Sequence, residues 1–401
     1  MEPDIRVFAL IVAVDKYASG AVWNLESCVD DAQKVQRWLR KDLKVPKHQI
    51  CMLLDKHATK ENIEKSFLRH LVHNEKIRSG DAILVYFAGH GSTVPAPNGW
   101  FHKGSVAGTA EVLCSYDFGQ RGTVGISDRS LQAMLEELCK AKGDNIAVIL
   151  DSCFAPLQSP SNIRDRRHTR WTPSEKVAPQ DLVEGLWPAA DSRVYPRGVG
   201  FYNTRNSAYT LLAACSPGEK ATEGKDGGKF TSAFLETARE TPLHSASYAS
   251  LLRHMRPKIG EGQRPLFAGA NATRPVFNAV PFLPDHAYVQ TDPVHDPKML
   301  RIGLGAVHGV VEGTEFSVHG HNCRGSSNPA IAHVSVTDVY PTWSFGYTSH
   351  SVPSGCWAQI KRWNNRGGFR LQPKRSFSLL RRPSQGTLRS VGRSIFHRLK
   401  R

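Results

Sequence analysis

Asn145 to Phe154 reads NIAVILDSCF, a continuous apolar run that halts at Asp151, Ser152 and Cys153. Apolar on both alternations, it is written for a strand buried on both faces. Asp81 to Gly91, DAILVYFAGHG, has the same build and halts at Gly89, His90 and Gly91. In a parallel sheet the carboxyl ends of neighbouring strands line one crevice, so His90 and Cys153 are expected to meet there.

Working outward, RVFALIVAVD (Arg6 to Asp15) and ICMLLD (Ile50 to Asp55) are further strands. CVDDAQKVQRWLRK (Cys28 to Lys41) spaces Ala32, Val35, Trp38 and Leu39 on one helical face. Thr59 caps a helix with Ile63, Phe67, Leu71 and Val72 inward, and Ser127 caps one carrying Leu131, Met134, Leu135 and Leu138. EVLCSYD (Glu111 to Asp117) is expected to be extended. Strands alternating with helices predict an α/β fold, a doubly wound, mostly parallel sheet covered on both faces.

From about Ala155 to Arg205 the pattern dissolves into Pro, Ser, Asp and Arg, as a functional loop or a linker does. Regular structure returns with AYTLLAAC (Ala208 to Cys215), helices at Thr231 to Arg239 and Tyr248 to Arg256, and RPVF (Arg274 to Phe277) as the expected last strand. Beyond Pro281, short strands punctuated by Gly and Pro predict a small all-β module. The division is thus 1–280 (parts 1–158 and 206–280 around the basic loop 159–205), a β-rich module at 281–372, and a basic tail at 373–401.

The net charge of +16 is uneven: residues 361–401 hold 13 of the 52 Lys and Arg and none of the 36 Asp and Glu, leaving +3 for the body. The basic balance belongs to the tail, and specific nucleic-acid recognition by the main domain is not expected. No stretch reaches the roughly 20 apolar residues a bilayer span needs, and the N-terminus lacks the order of a secretory signal. The eight cysteines form no CxxC pair and mostly lie in apolar periodic segments. Reduced thiols and a cytoplasmic location, with the nucleus as alternative, are expected.

A cysteine attacks a carbonyl as its thiolate, and an adjacent imidazole takes the thiol proton and later returns it to the leaving amine. Backbone N–H groups of Gly91 and Cys153, at the mouths of adjacent strands, are candidate donors to the oxyanion. The plain alternative is that Cys153 is a buried small hydrophobe and His90 a hydrogen-bonded loop residue.

YFAGHG (Tyr86 to Gly91) and DSC (Asp151 to Cys153) resemble the His and Cys motifs of the caspase-like clan, particularly metacaspases and their fungal relatives. LESCVDDA (Leu25 to Ala32) resembles the family's L-x-G-C-x-N-D-A segment. LLAACSPGEKATE (Leu211 to Glu223) with GGKFTSAFL (Gly227 to Leu235) resembles its small-subunit strand and helix. The resemblance, over roughly Val7 to Phe277, implies a caspase-like three-layer sandwich. It implies a cysteine endopeptidase with His90 as general base and acid, Cys153 as nucleophile, and Asp31 and Asp151 as an acidic pocket selecting Arg or Lys before the scissile bond of a protein or peptide substrate.

Ala88 departs from the serine many metacaspases carry, and Phe154, Ala155 and Pro156 replace the usual His-Ser-Gly in the turn that aims Cys153. SDR (Ser127 to Arg129) offers one acid and one base where two acids are usual. Asp117 and Asp128 are the remaining possible calcium ligands, so no cofactor and no calcium dependence is expected.

The resemblance also implies self-processing in the basic loop, at Arg164, Arg166, Arg167 or Arg170; an uncut solvated insert is the alternative. His319, His321 and Cys323 (HGHNC) have a metal-like spacing without a second ligand pair, so a turn is the simpler reading and no metal site is assigned. Leu388, Val391, Ile395 and Leu399 recur at helical spacing among basic residues, a match for an anionic membrane or an acidic partner, with plain disorder as the alternative. The competing function is a catalytically inactive caspase-fold adaptor acting through the β module or the tail.

Overall fold

A computed structural model describes residues 5–97, 100, 108–154, 168–174, 177–190, 200–201, 208–224, 226–269, 272–296 and 298–364. The expectations for Arg164 to Arg167, for Ala155 and Pro156, and for the tail lie outside the described residues.

In chain order the α/β part contains β1 (Val7–Ala13), α1 (Cys28–Lys41), β2 (Ile50–Leu54), α2 (Lys60–Ser66), β3 (Ala82–Ala88), β4 (Gly91–Pro95), β5 (Thr109–Leu113), β6 (Ile126–Ser127) and α3 (Asp128–Lys142). It continues with β7 (Ile146–Asp151), α4 (Pro179–Glu184), β8 (Thr210–Ala213), β9 (Glu223–Gly224), β10 (Gly227–Gly228), α5 (Lys229–Glu240), α6 (Tyr248–Ile259) and β11 (Leu266–Ala268). The central sheet runs β11-β8-β7-β3-β1-β2, parallel except for β11.

Residues of β1 alternate between two cores, because successive side chains of a strand point to opposite faces. Phe8, Leu10 and Val12 pack with Ile63, Phe67, Leu71, Leu131, Met134 and Leu138 of the α2–α3 layer. Val7, Ala9, Ile11 and Ala13 pack with Val35, Trp38, Leu39, Phe230, Phe234, Leu251 and Met255 of the α1–α5–α6 layer. The result is the expected sandwich of three layers.

The expected caps are present: Thr59 and Ser127 side chains accept N–H groups of Asn62 and Ser130. At α1 the work falls instead to Asp15, whose carboxylate accepts the N–H groups of Cys28 (2.8 Å) and Val29 (3.1 Å). Glu111 to Asp117 contributes β5 to a small three-stranded sheet, β4-β5-β6, beside the main one.

One expected strand is corrected. Arg274 to Phe277 is not a strand: Val276–Ala279 is a 3₁₀ turn with Phe277 and Asn278 at φ 53° and 52°. Pro275 has no N–H to give a ladder, and the left-handed residues turn the chain away from the sheet. The last strand is β11, three residues antiparallel to β8, too short to show a period in sequence.

The C-terminal module is a closed antiparallel barrel of β12 (Tyr288–Pro293), β13 (Met299–Ile302), β14 (Glu315–His319), β15 (Ala330–Val339), β16 (Ser344–Thr348) and β17 (Trp357–Arg362), ordered β12-β13-β16-β15-β14-β17. Leu300, Ile302, Phe316, Val318, Val334, Val336 and Ala358 fill it. Closure removes the exposed edges that six short strands would otherwise present.

Candidate active site

Parallel β3 and β7 end level, Ala88 beside Asp151, so the segments Gly89–Gly91 and Ser152–Cys153 leave the sheet together. Gly91 must be glycine here, since a Cβ would lie 2.3 Å from the carbonyl oxygen of Cys153 and 2.6 Å from the Phe154 ring. Phe154, standing where the resemblance expects histidine, turns into the core and packs on Phe201 with ring centroids 4.6 Å apart.

His90 is fully buried. Its backbone N–H donates to the Tyr17 hydroxyl (2.7 Å), and its Nε2 lies 2.8 Å from the Trp23 carbonyl oxygen. A carbonyl only accepts, so Nε2 carries the proton and Nδ1 keeps its lone pair. Nδ1 has no hydrogen-bond partner among the described residues. Burial holds the imidazole well below its ordinary pKa, at about 4, so the ring is neutral near pH 7.

Cys153 is also fully buried, with its thiol hydrogen-bonded to that of Cys215 and 3.9 Å from the Ala221 carbonyl oxygen. That contact and burial push the Cys215 thiol far up. Sheet and loops thus bring His90 and Cys153 to one rim, but among the described residues no hydrogen bond joins their side chains.

The rim is occupied by the chain itself. Arg170, with no exposed surface, has Nη2 2.6 Å from Asp31 Oδ2 and 3.5 Å from Glu223 Oε2, and Nη1 2.7 Å from Asp151 Oδ2. Its carbonyl oxygen accepts N–H bonds from Gly91 (3.0 Å) and Cys153 (3.1 Å), and its own N–H donates to Ala221 O (2.9 Å). On one side Thr169 forms an antiparallel bridge with Thr222; on the other Trp171 bridges Gly91, and Thr172 N–H donates to Gly91 O (3.0 Å).

Each acid of this pocket is held from behind. Asp31 Oδ2 accepts the N–H of Gly228 (2.8 Å), and Asp151 Oδ2 accepts both the N–H (3.2 Å) and the hydroxyl (2.6 Å) of Thr231 in the first turn of α5. Glu223 accepts Glu26 N–H and the Ser27 hydroxyl. Burial, with Asp151 adding to it, lifts the Asp31 carboxyl to about 6 against the pull of Arg170. Gly227 and Gly228 leave the room: a Cβ at Gly227 would lie 2.3 Å from Asp31 Oδ1, and one at Gly228 2.7 Å from the Arg170 guanidinium.

Of the five residues expected from the sequence, Asp31, Gly91, Asp151 and Cys153 bond directly to Arg170, and His90 stands beside them next to Gly91. Glu223 as a third pocket acid, the two glycines and the seat of Arg170 are not legible as pocket features in the sequence. Glu223 and Gly227 do fall inside the two small-subunit segments that carry the resemblance, the available signal. The two possible calcium ligands each accept hydrogen bonds through one oxygen. Asp117 Oδ1 accepts Lys60 N–H and the Ser115 hydroxyl, and Asp128 Oδ1 accepts Arg129 N–H.

The sequence matches the caspase-domain model Peptidase_C14 over residues 6–278. Similar solved structures include protein GSU0716 of Geobacter sulfurreducens (19% identity, 66% of this chain and 94% of that one, TM-score 0.49) and caspase-1 of Spodoptera frugiperda (12% identity, 66% and 86%, TM-score 0.40). No curated protein matches the sequence. With more than half its length under that one model, this chain belongs to the Peptidase_C14 caspase-domain family, whose members are caspase-like cysteine peptidases acting on protein substrates.

Proposed function

We propose that the protein is a metacaspase-like cysteine endopeptidase that cuts after Arg or Lys, and that its first substrate is its own Arg170–Trp171 bond. The observation that carries this reading is Arg170. Its guanidinium is paired with Asp31, Asp151 and Glu223 while its carbonyl oxygen takes two N–H bonds at the nucleophile's turn. A fully buried cluster of acids that needs a cation selects Arg or Lys, and two N–H donors on a carbonyl are what an oxyanion requires.

In the reaction, His90 Nδ1 takes the Cys153 proton, and the thiolate attacks the Arg170 carbonyl carbon. The tetrahedral oxyanion is held by the Gly91 and Cys153 N–H groups. The bond to Trp171 nitrogen breaks, and His90 delivers its proton to the leaving amine. Water, activated by the same imidazole, then hydrolyses the thioester to an Arg170 carboxylate and free Cys153. For His90 to act, the Cys153 thiol has to rotate away from Cys215. Until the segment leaves, it excludes other substrates.

Purified wild type and Cys153→Ala are compared with Arg, Lys and Asp peptides, with and without Ca²⁺. Hydrolysis of the Arg and Lys peptides only, and a new N-terminus at Trp171 in wild type alone, are expected. Cleavage of the Asp peptide, or a Trp171 end in Cys153→Ala, overturns the reading. The Cys153–Cys215 contact favours a second reading, an inactive adaptor; it predicts no hydrolysis of any peptide and full cellular function in Cys153→Ala.

A further inference from the structure

His244 lies between α5 and α6, in the loop that carries Pro242 and Ser245, while His321 and Cys323 lie between β14 and β15 of the barrel. Nothing in their sequence spacing joins them. In the fold, one ligand atom from each of the three lies within 4.8 Å of the other two, and the imidazole centroids are 4.0 Å apart. His319, the remaining member of HGHNC, is elsewhere: its Nδ1 and Nε2 are taken by Asn328 O (2.8 Å) and the Ser317 hydroxyl (2.9 Å).

Each ring is oriented by a serine of the same barrel loop. His321 Nε2 lies 3.0 Å from Ser327 O, which must accept, so the proton is on Nε2 and the lone pair on Nδ1. His244 Nδ1 lies 2.9 Å from the Ser326 hydroxyl; with Nδ1 donating, its Nε2 lone pair is left for a ligand. An imidazole whose distal N–H is held by a carbonyl or hydroxyl is the usual support of a metal-bound histidine.

We propose that His244 Nε2, His321 Nδ1 and Cys323 Sγ bind a zinc ion, with water as fourth ligand, and that the ion clamps the barrel to the peptidase domain. Two imidazoles and one thiolate form a donor set that zinc takes in tetrahedral geometry. Binding releases the Cys323 proton and displaces one contact, the Cys323 N–H that donates to His321 Nδ1 at 3.0 Å. The loop that carries His321 and Cys323 is fixed within its own module, where Arg324 N–H donates to Leu283 O (2.8 Å) and Asp285 N–H to Asn322 O (2.7 Å). A Cβ on Gly325 would lie 2.9 Å from Asp42 O, so the loop presses directly against the end of α1.

The test uses the full chain carrying Cys153→Ala, so that the nucleophile neither binds metal nor cuts. After treatment with a chelator, Co²⁺ is titrated in, then displaced by Zn²⁺. Expected are saturation at about one ion per chain with a thiolate-to-cobalt charge-transfer band, a loss of that band with Cys323→Ser, and zinc affinity about tenfold or more weaker with His244→Ala. At the same zinc concentration the Tm of the parent should rise by more than that of His244→Ala. Absence of saturable binding, or a band and affinity retained in both variants, overturns the proposal. Because the parent is already catalytically dead, this outcome is independent of the proposed peptidase activity.

Discussion

The carbonyl oxygen of Arg170 accepts the backbone N–H of Cys153 at 3.1 Å, while the Arg170 side chain is buried against acids at the far end of the same cleft. One residue therefore bridges the buried cluster of acids and the turn that carries Cys153.

Removing that side chain leaves three carboxylates buried without their shared cation. Arg170→Ala is expected to cost about 3–5 kcal/mol at pH 7. Agmatine, a small guanidinium, should restore part of the lost Tm in the variant and leave wild type unmoved. An unchanged Tm in Arg170→Ala would show that the ion pairs do not hold the segment.

Gly228 sets the depth of the pocket. Gly228→Ala places a methyl 2.7 Å from the guanidinium atoms, and backbone at the start of α5 gives little room to retreat. Hydrolysis of an Arg peptide should fall at least tenfold, mostly through KM, about 1.4 kcal/mol or more. A variant with unaltered KM would place the arginine elsewhere.

Glu111 is half-buried, its carboxyl raised by desolvation to about 8, while Phe201 N–H donates to it at 3.0 Å. The folded state thus keeps a proton that the unfolded chain releases near pH 4.5. The associated stability is complete below pH 4.5 and is lost as pH rises towards about 8, by up to about 5 kcal/mol. Glu111→Gln, which still accepts from Phe201, should match wild type at pH 4.5 in denaturant midpoint and exceed it at pH 8. Equal pH slopes would contradict this.

Phe154 fills the space between the nucleophile's turn and the core. Phe154→Ala is expected to destabilise by about 3–5 kcal/mol. Phe154→Leu, which keeps most of the volume, should cost less, and the peptide-hydrolysis rate of the two variants should follow that order if packing aims Cys153.

The short patterns of this chain were enough for the sandwich and for most of its candidate site. Fully apolar runs ending on Gly-His-Gly and Asp-Ser-Cys read as central strands, and parallel strands end at one rim, so periodicity and order bring His90, Gly91 and Cys153 together, while Asp151 and Asp31 enter the site through the family resemblance. Capping serines and threonines, and one-sided helices, announced themselves by local hydrogen bonding and spacing. What tertiary structure decided were meetings between distant segments, for which local sequence carries no term. The basic loop named Arg170 as one arginine among four, but only the convergence of Asp31, Asp151 and Glu223 singles it out, because a buried cation needs charges drawn from three separate elements. The strand Leu266–Ala268 is fixed by pairing with β8 rather than by its own three residues. His244 reaches His321 and Cys323 only once the barrel docks, since a metal-ligand set is a property of distances and not of spacing along the chain.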